Sequence, residues 1–240
     1  MQLKSSIAAL AAFLTLTSCV HQDQQAAGEA APAMRRLTQD QYRQSIADVF
    51  GPDIKVAGRF EPDLRSEGLF AVGSAQVSIT PAGFEQFNTM ARTIAAQVVD
   101  QSHRGTLIPC RPKDVEAADD ACAGQFLKQS GRLLWRRPLS DAEVQAHVRE
   151  AAAAAKTLGG FYPGLEFALA GLLVAPEFLF RVENVGKGGR LDAYSKASRL
   201  SFLLWNTTPD DILLDAAARG ELDSTTGLAR QVDRLMSSKR

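Results

Sequence analysis

Residues 133–180 read LLWRRPLSDAEVQAHVREAAAAAKTLGGFYPGLEFALAGLLVAPEFLF, and this stretch decides the fold class. Leu134 and Trp135 end one apolar helical stripe, and Arg136-Arg137-Pro138-Leu139 breaks it. Ser140 with Glu143 forms a capping box, in which each side chain satisfies the other residue's backbone N–H. It predicts a helix from Asp141 to about Leu158, stopped by Gly159-Gly160. A second helix is expected from Tyr162 to about Phe180. Its Leu165, Phe167, Leu169, Leu172, Leu173 and Val174 cover most of its circumference, so it is expected to be central and buried. Pro176 must kink or end it. The apolar run between Glu166 and Pro176 is shorter than the roughly twenty residues a membrane span needs.

Working outward, the same local chemistry recurs. Toward the N-terminus, Asp119 or Asp120 caps a helix through Trp135 with Phe126, Leu127, Leu134 and Trp135 as its stripe. Thr80-Pro81 is an N-cap followed by proline at the first helical position. The helix it opens runs to about Val99 and is expected to bury Phe84, Phe87, Ile94 and Val98. Thr38 with Gln41 is another capping box, opening a helix through about Phe50 with Tyr42, Ile46, Val49 and Phe50 at helical spacing. Between them lies the interrupted stretch Asp53 to Ile79, whose strand-like piece, Val77 to Ile79, is too short for a sheet. Toward the C-terminus, Asp192 caps a helix through Leu204 and Trp205. Thr208-Pro209 starts another, closed by Gly220, and a last helix spans Thr225 to about Ser237. The expected class is all-α: a multi-helix bundle with long irregular connections and one short disulfide loop.

The first residues carry an address. Lys4 precedes the apolar run Ile7 to Leu16, which ends in Leu16-Thr17-Ser18-Cys19. This is the pattern of a lipoprotein signal, with small residues before the cut and a thiol to take the acyl group. Val20 rather than Asp after the cysteine matches outer-membrane sorting in a Gram-negative cell. The expectation is a signal peptide over 1–18 and lipidation of Cys19. A flexible tether over 19–34, rich in Gln and Ala, then holds the protein at the periplasmic face of the outer membrane. Cys110 and Cys122 remain, and an even pair in an exported protein reads as a disulfide; a metal pair or a reactive thiol are the rivals. The domain reading is 35–105, then 106–158 with the disulfide, then 159–240 as the start of a main helical domain, apparently truncated.

The search for chemistry returns mostly absences. The chain holds 27 basic and 27 acidic residues, and no basic block argues for nucleic acid. No Cys-x-x-Cys-His, clustered zinc ligands, P-loop or Gly-x-Ser-x-Gly elbow occurs in the sequence. No metal and no cofactor is therefore expected. His21, His103 and His147 are isolated, and read as solvated or core-edge residues. Asp119/Asp120 and Asp210/Asp211 sit at helix starts, where negative charge complements the helix dipole. Glu61/Asp63 is a third pair. Arg35-Arg36 and Arg136-Arg137 flank helix ends and are expected to form ion pairs with neighbouring carboxylates, with anion binding as the rival. Trp135 and Trp205 read as core anchors at helical spacing, with the lining of a sugar or haem pocket as the rival.

Five segments in order resemble a known family. They are Arg35-Arg36-Leu37-Thr38 with Tyr42; Ser78-Ile79-Thr80-Pro81 with Phe84 and Phe87; Cys122 with Phe126-Leu127 and Trp135 through Ser140; Leu172 through Glu183; and Ala197 through Asn206 with Pro209-Asp210-Asp211. Together they are similar to the planctomycete-type cytochrome-associated family known as domain of unknown function 1592, with its two upstream companion domains. The resemblance implies an exported helical protein that travels with c-type cytochrome domains, and it carries over no catalytic residue. It leaves three functional readings. The first is a docking module for a c-type cytochrome or another envelope protein, attached to the membrane by its lipid. The second is a redox-linked or polysaccharide-acting enzyme with a site built from Arg199, Trp205 and Asn206, its haem-bearing half missing or separately encoded. The third is an inactive remnant.

Overall fold

The computed structural model describes residues 34–63, 68 and 78–238. The signal, Cys19 and the tether up to residue 33 lie outside the described residues, as does Val77 of the strand-like piece. Strand β1 (Met34–Arg36) leads into α1 (Gln39–Phe50), then α2 (Pro81–Val99), the single turn α3 (Arg104–Leu107), α4 (Asp120–Leu134) and α5 (Asp141–Leu158). The central α6 (Phe161–Val174) follows, then the turn α7 (Pro176–Leu179), strand β2 (Phe180–Val182), α8 (Ala193–Leu204), α9 (Asp211–Ala218) and α10 (Thr225–Met236). The class is all-α, with one two-stranded ribbon.

The helix starts are where the side chains dictate them. Thr38 and Gln41 close their capping box, as do Ser140 and Glu143, and Thr80, Asp119 and Asp192 each accept from a backbone N–H in the first turn. Gly159 stops α5 in the left-handed conformation at φ 80°, which a side chain resists. Helix α6 packs along both α2 and α5. Its Leu165, Leu169, Leu172 and Leu173 are fully enclosed, and the core around them runs from Leu37 and Tyr42 to Phe202. The seam with α5 is tight at Gly164, where an added Cβ would lie 2.4 Å from the Ala151 carbonyl. A second, smaller core gathers Ala197, Leu213, Leu214, Ala217, Leu222 and Leu235 from α8, α9, α10 and the turn between the last two.

Several details depart from the expectation. The helix foreseen from Tyr162 to Phe180 ends at Val174, because Ala175, preceding proline, turns extended; Pro176 then opens a new turn. Phe180 is instead in β2, pairing antiparallel with β1 so that Met34 meets Val182, Arg35 meets Arg181 and Arg36 meets Phe180. Three-residue strands carry no readable period, so nothing local announced them. Phe84 and Phe167, expected inside, are 45% and 47% exposed; Phe167 lines an open groove with Asn88 and Arg92 of α2 instead of entering the core. Asp210, not Thr208, caps α9, and the Thr208 hydroxyl donates to the Leu133 carbonyl instead. The cysteines form the Cys110–Cys122 disulfide, with Cα atoms 5.6 Å apart. Among the described residues, no helix is long and apolar enough to cross a membrane.

Candidate functional site

The break that ends α4 and the break that ends α6 come together, and a cleft of about 240 Å³ opens between them and the start of α8. Trp135, Arg136, Arg137, Glu177, Asp192 and Tyr194 give it its chemistry. The indole of Trp135 is held by its N–H on the Leu172 carbonyl (3.3 Å), and the His147 ring meets it edge-on. Arg137 lies over that indole at 5.3 Å and grips both oxygens of Glu143 at 2.8 and 3.1 Å. The hydrogen bonds from Arg137 are the chief reason the Glu143 carboxyl is held down at about 2.

Arg136 turns inward. Its backbone sits at φ 59°, a conformation non-glycine residues rarely adopt, and its guanidinium is buried. There it donates to the carbonyls of Leu134 (2.9 Å), Phe178 (3.4 Å), Phe180 (2.7 Å) and Glu177. These include the orphan carbonyls at the ends of α4 and α7, so one cation caps two helix termini. The expected carboxylate partner is absent among the described residues. Burial, with Arg181 and Arg137 nearby, pushes this guanidinium below its ordinary range.

The other polar groups around the cleft are mostly engaged. Asp192 accepts from the Ser195 N–H at 2.6 Å, and the Ser195 hydroxyl accepts from the Asn184 N–H at 2.8 Å. Glu177 makes no side-chain hydrogen bond or ion pair with a described residue, and its carboxylate is the group left to meet a ligand. Aromatic floor, carboxylate and arginine can bind a polar partner.

Arg199, Trp205 and Asn206 do not converge. Arg199 pairs through Nε and Nη2 with Glu183 of the segment after β2. The Trp205 indole donates to the Leu235 carbonyl at 2.8 Å, with Arg234 over its ring. Asn206, at φ 58°, accepts from the Gln41 side chain at 3.0 Å. Each anchors α8 to a different element, and none lines the cleft. Several of the remaining sequence candidates have structural partners too, and His21 lies outside the described residues. Arg36 pairs with Glu61 at 2.9 Å and Asp63 at 3.6 Å, His103 with Asp100, and His147 with Glu150. Among the described residues, no group of three or more His, Cys, Asp and Glu side chains is placed to hold a metal ion.

A helical body with a cleft at the meeting of two helix breaks is the architecture on which comparison with known families falls. Residues 35–100 match PSD3, protein of unknown function (DUF1587); residues 122–183 match PSD5 (DUF1595); and residues 191–240 match PSD4 (DUF1592). The findings support this DUF1587/DUF1595/DUF1592 group as the family of the chain. No curated protein and no solved structure matches it. The cleft lies where the second and third matched segments meet, taking Trp135 to Val182 from one and Asp192 to Ser198 from the other.

Proposed function

We propose that this chain is a cell-envelope lipoprotein, acylated at Cys19, whose helical body docks a c-type cytochrome domain or another envelope protein. The signal-like run from Lys4 to Cys19 supports the address. One observation carries the docking role: the small C-terminal core leaves large apolar side chains outside. Leu203 on α8 is 75% exposed, Met236 on α10 69% and Ile212 on α9 54%. The three elements that carry them pack on one core, and apolar side chains exposed together on such a surface mark an interaction site. The resemblance of the three domains supplies the kind of partner.

The test is to purify the tagged full chain from its own cell envelope after cross-linking, and to read the absorption spectrum of what comes with it. A Soret band that co-purifies with the wild type, and is lost with Leu203→Glu and Met236→Glu, supports docking to a haem protein. The same cross-linked species in wild type and both variants overturns the interface. Cys19→Ala should accumulate as precursor or leave the membrane fraction. Unchanged processing and membrane attachment would sink the address.

A further inference from the structure

The ribbon of β1 and β2 places Arg35 directly opposite Arg181, two like charges on one face of an antiparallel pair, an arrangement that is ordinarily destabilising. Helix α8 lies against that face. Phe202 sits under the Arg181 guanidinium at 4.8 Å, with Arg136 on it at 5.9 Å. Arg199 projects from the same helix and is half exposed. The carboxylate at hand is Glu183, and Arg199 takes both of its oxygens.

Arg181 is left as a partly buried guanidinium with a cation–π contact and no hydrogen bond or ion pair to a described residue. Its Nε is enclosed and without a partner. Burying such a charge unpaired is costly, and the cost falls when an anion neutralises it. Burial, then the neighbouring Arg35 and Arg199, lower its proton affinity against the opposing pull of Glu183. Arg199 holds both oxygens of Glu183, which leaves Arg181 without a carboxylate of its own among the described residues. A planar guanidinium fork matches the oxygens of a phosphate group.

We propose that Arg181 and Arg199, with Arg35 beside them, form a binding site for a phosphate-class oxyanion, supplied by a free phosphate or by an anionic lipid headgroup. The site is separate from the apolar docking residues on α8, α9 and α10. It lies on the face of the ribbon turned toward α8.

The experiment titrates the full chain with inorganic phosphate at constant ionic strength, following heat of binding and melting temperature against chloride. Phosphate should bind and raise the melting temperature, and Arg181→Met should weaken binding about tenfold or more. In chloride alone that variant should be no less stable than wild type, because it removes an unneutralised charge. Arg181→Lys, which keeps the charge and loses the fork, should fall between them. A second arm measures binding to phosphatidylcholine vesicles with and without phosphatidylglycerol, in wild type and Arg181→Met carrying the same N-terminus. Phosphatidylglycerol dependence that the variant loses identifies the lipid source. A response to free phosphate without one to vesicles identifies a soluble ligand. No response in either arm, or equal responses in wild type and Arg181→Met, overturns the site.

Discussion

At the scale of single residues, two side chains of the Arg-Arg-Pro break divide its work. Arg136 satisfies four carbonyls from inside the protein. Arg136→Met leaves them without a donor in a buried place, and should cost roughly 3 kcal/mol or more of stability. A denaturation midpoint within error of wild type would refute this role. Arg137 and Ser140 act outside, on Glu143, whose carboxyl is held at about 2 against an ordinary 4.5. A depressed carboxylate contributes stability in full above about 4.5, and loses it as pH falls toward about 2. The group is 31% exposed, so the contribution is that of a surface cap, about 1 kcal/mol. Glu143→Gln should lower stability by that amount at neutral pH and flatten the acid side of the stability curve. An acid limb identical to wild type would count against it. The capping role of Glu143 was legible in the sequence because cap and helix lie within four residues. The role of Arg136 was not: its acceptors near Glu177 lie about forty positions away, and nothing local distinguishes it from its neighbour.

At the scale of elements, the seam between α5 and α6 depends on a missing side chain. Gly164 lets the Ala151 carbonyl and Ala155 approach so closely that a Cβ would meet them at 2.4 and 2.8 Å. Gly164→Ala should therefore cost about 1–3 kcal/mol, against the small gain alanine gives in an exposed helix. A stabilised variant would show that the two helices part freely. Helix identities were legible from period and caps, since both are short-range. Which face turns inward was legible only when apolar residues filled the stripe consistently. Phe84 and Phe167 belonged to rich runs, and tertiary packing chose their neighbours instead. The boundary at Val174 was half legible: Pro176 announced a kink or an end, but not that Phe180 would join a strand.

At the scale of the whole molecule, two cores of unequal size share α8, which gives Phe202 to the large one and Ala197 to the small one. Fewer buried side chains mean a lower free energy of local opening. Amides of Leu213 and Leu214 on α9 should therefore exchange with solvent faster than those of Leu169 and Leu172 on α6. Equal protection would mean that the two cores open only together. The candidate site was least legible at this scale. Arg199, Trp205 and Asn206 are neighbours in sequence, yet the fold sends each to a different anchor. The cleft that does form needs Trp135, Glu177 and Tyr194, which only the meeting of two helix breaks brings together.

The ribbon that closes this meeting also has a mechanical side. Any pull arriving along the chain ahead of Met34 acts first on the end of β1, where the pair with Val182 is outermost. Loaded from that end, the bonds of an antiparallel ribbon part in succession, like a zip, at small force. The peeling then reaches Arg36, clamped by Glu61 and Asp63, and the Leu37 N–H on the Leu179 carbonyl at 2.9 Å. Beyond that catch the load enters α1 and the large core. Met34 and Arg35 therefore serve as slack that gives way before the body is strained.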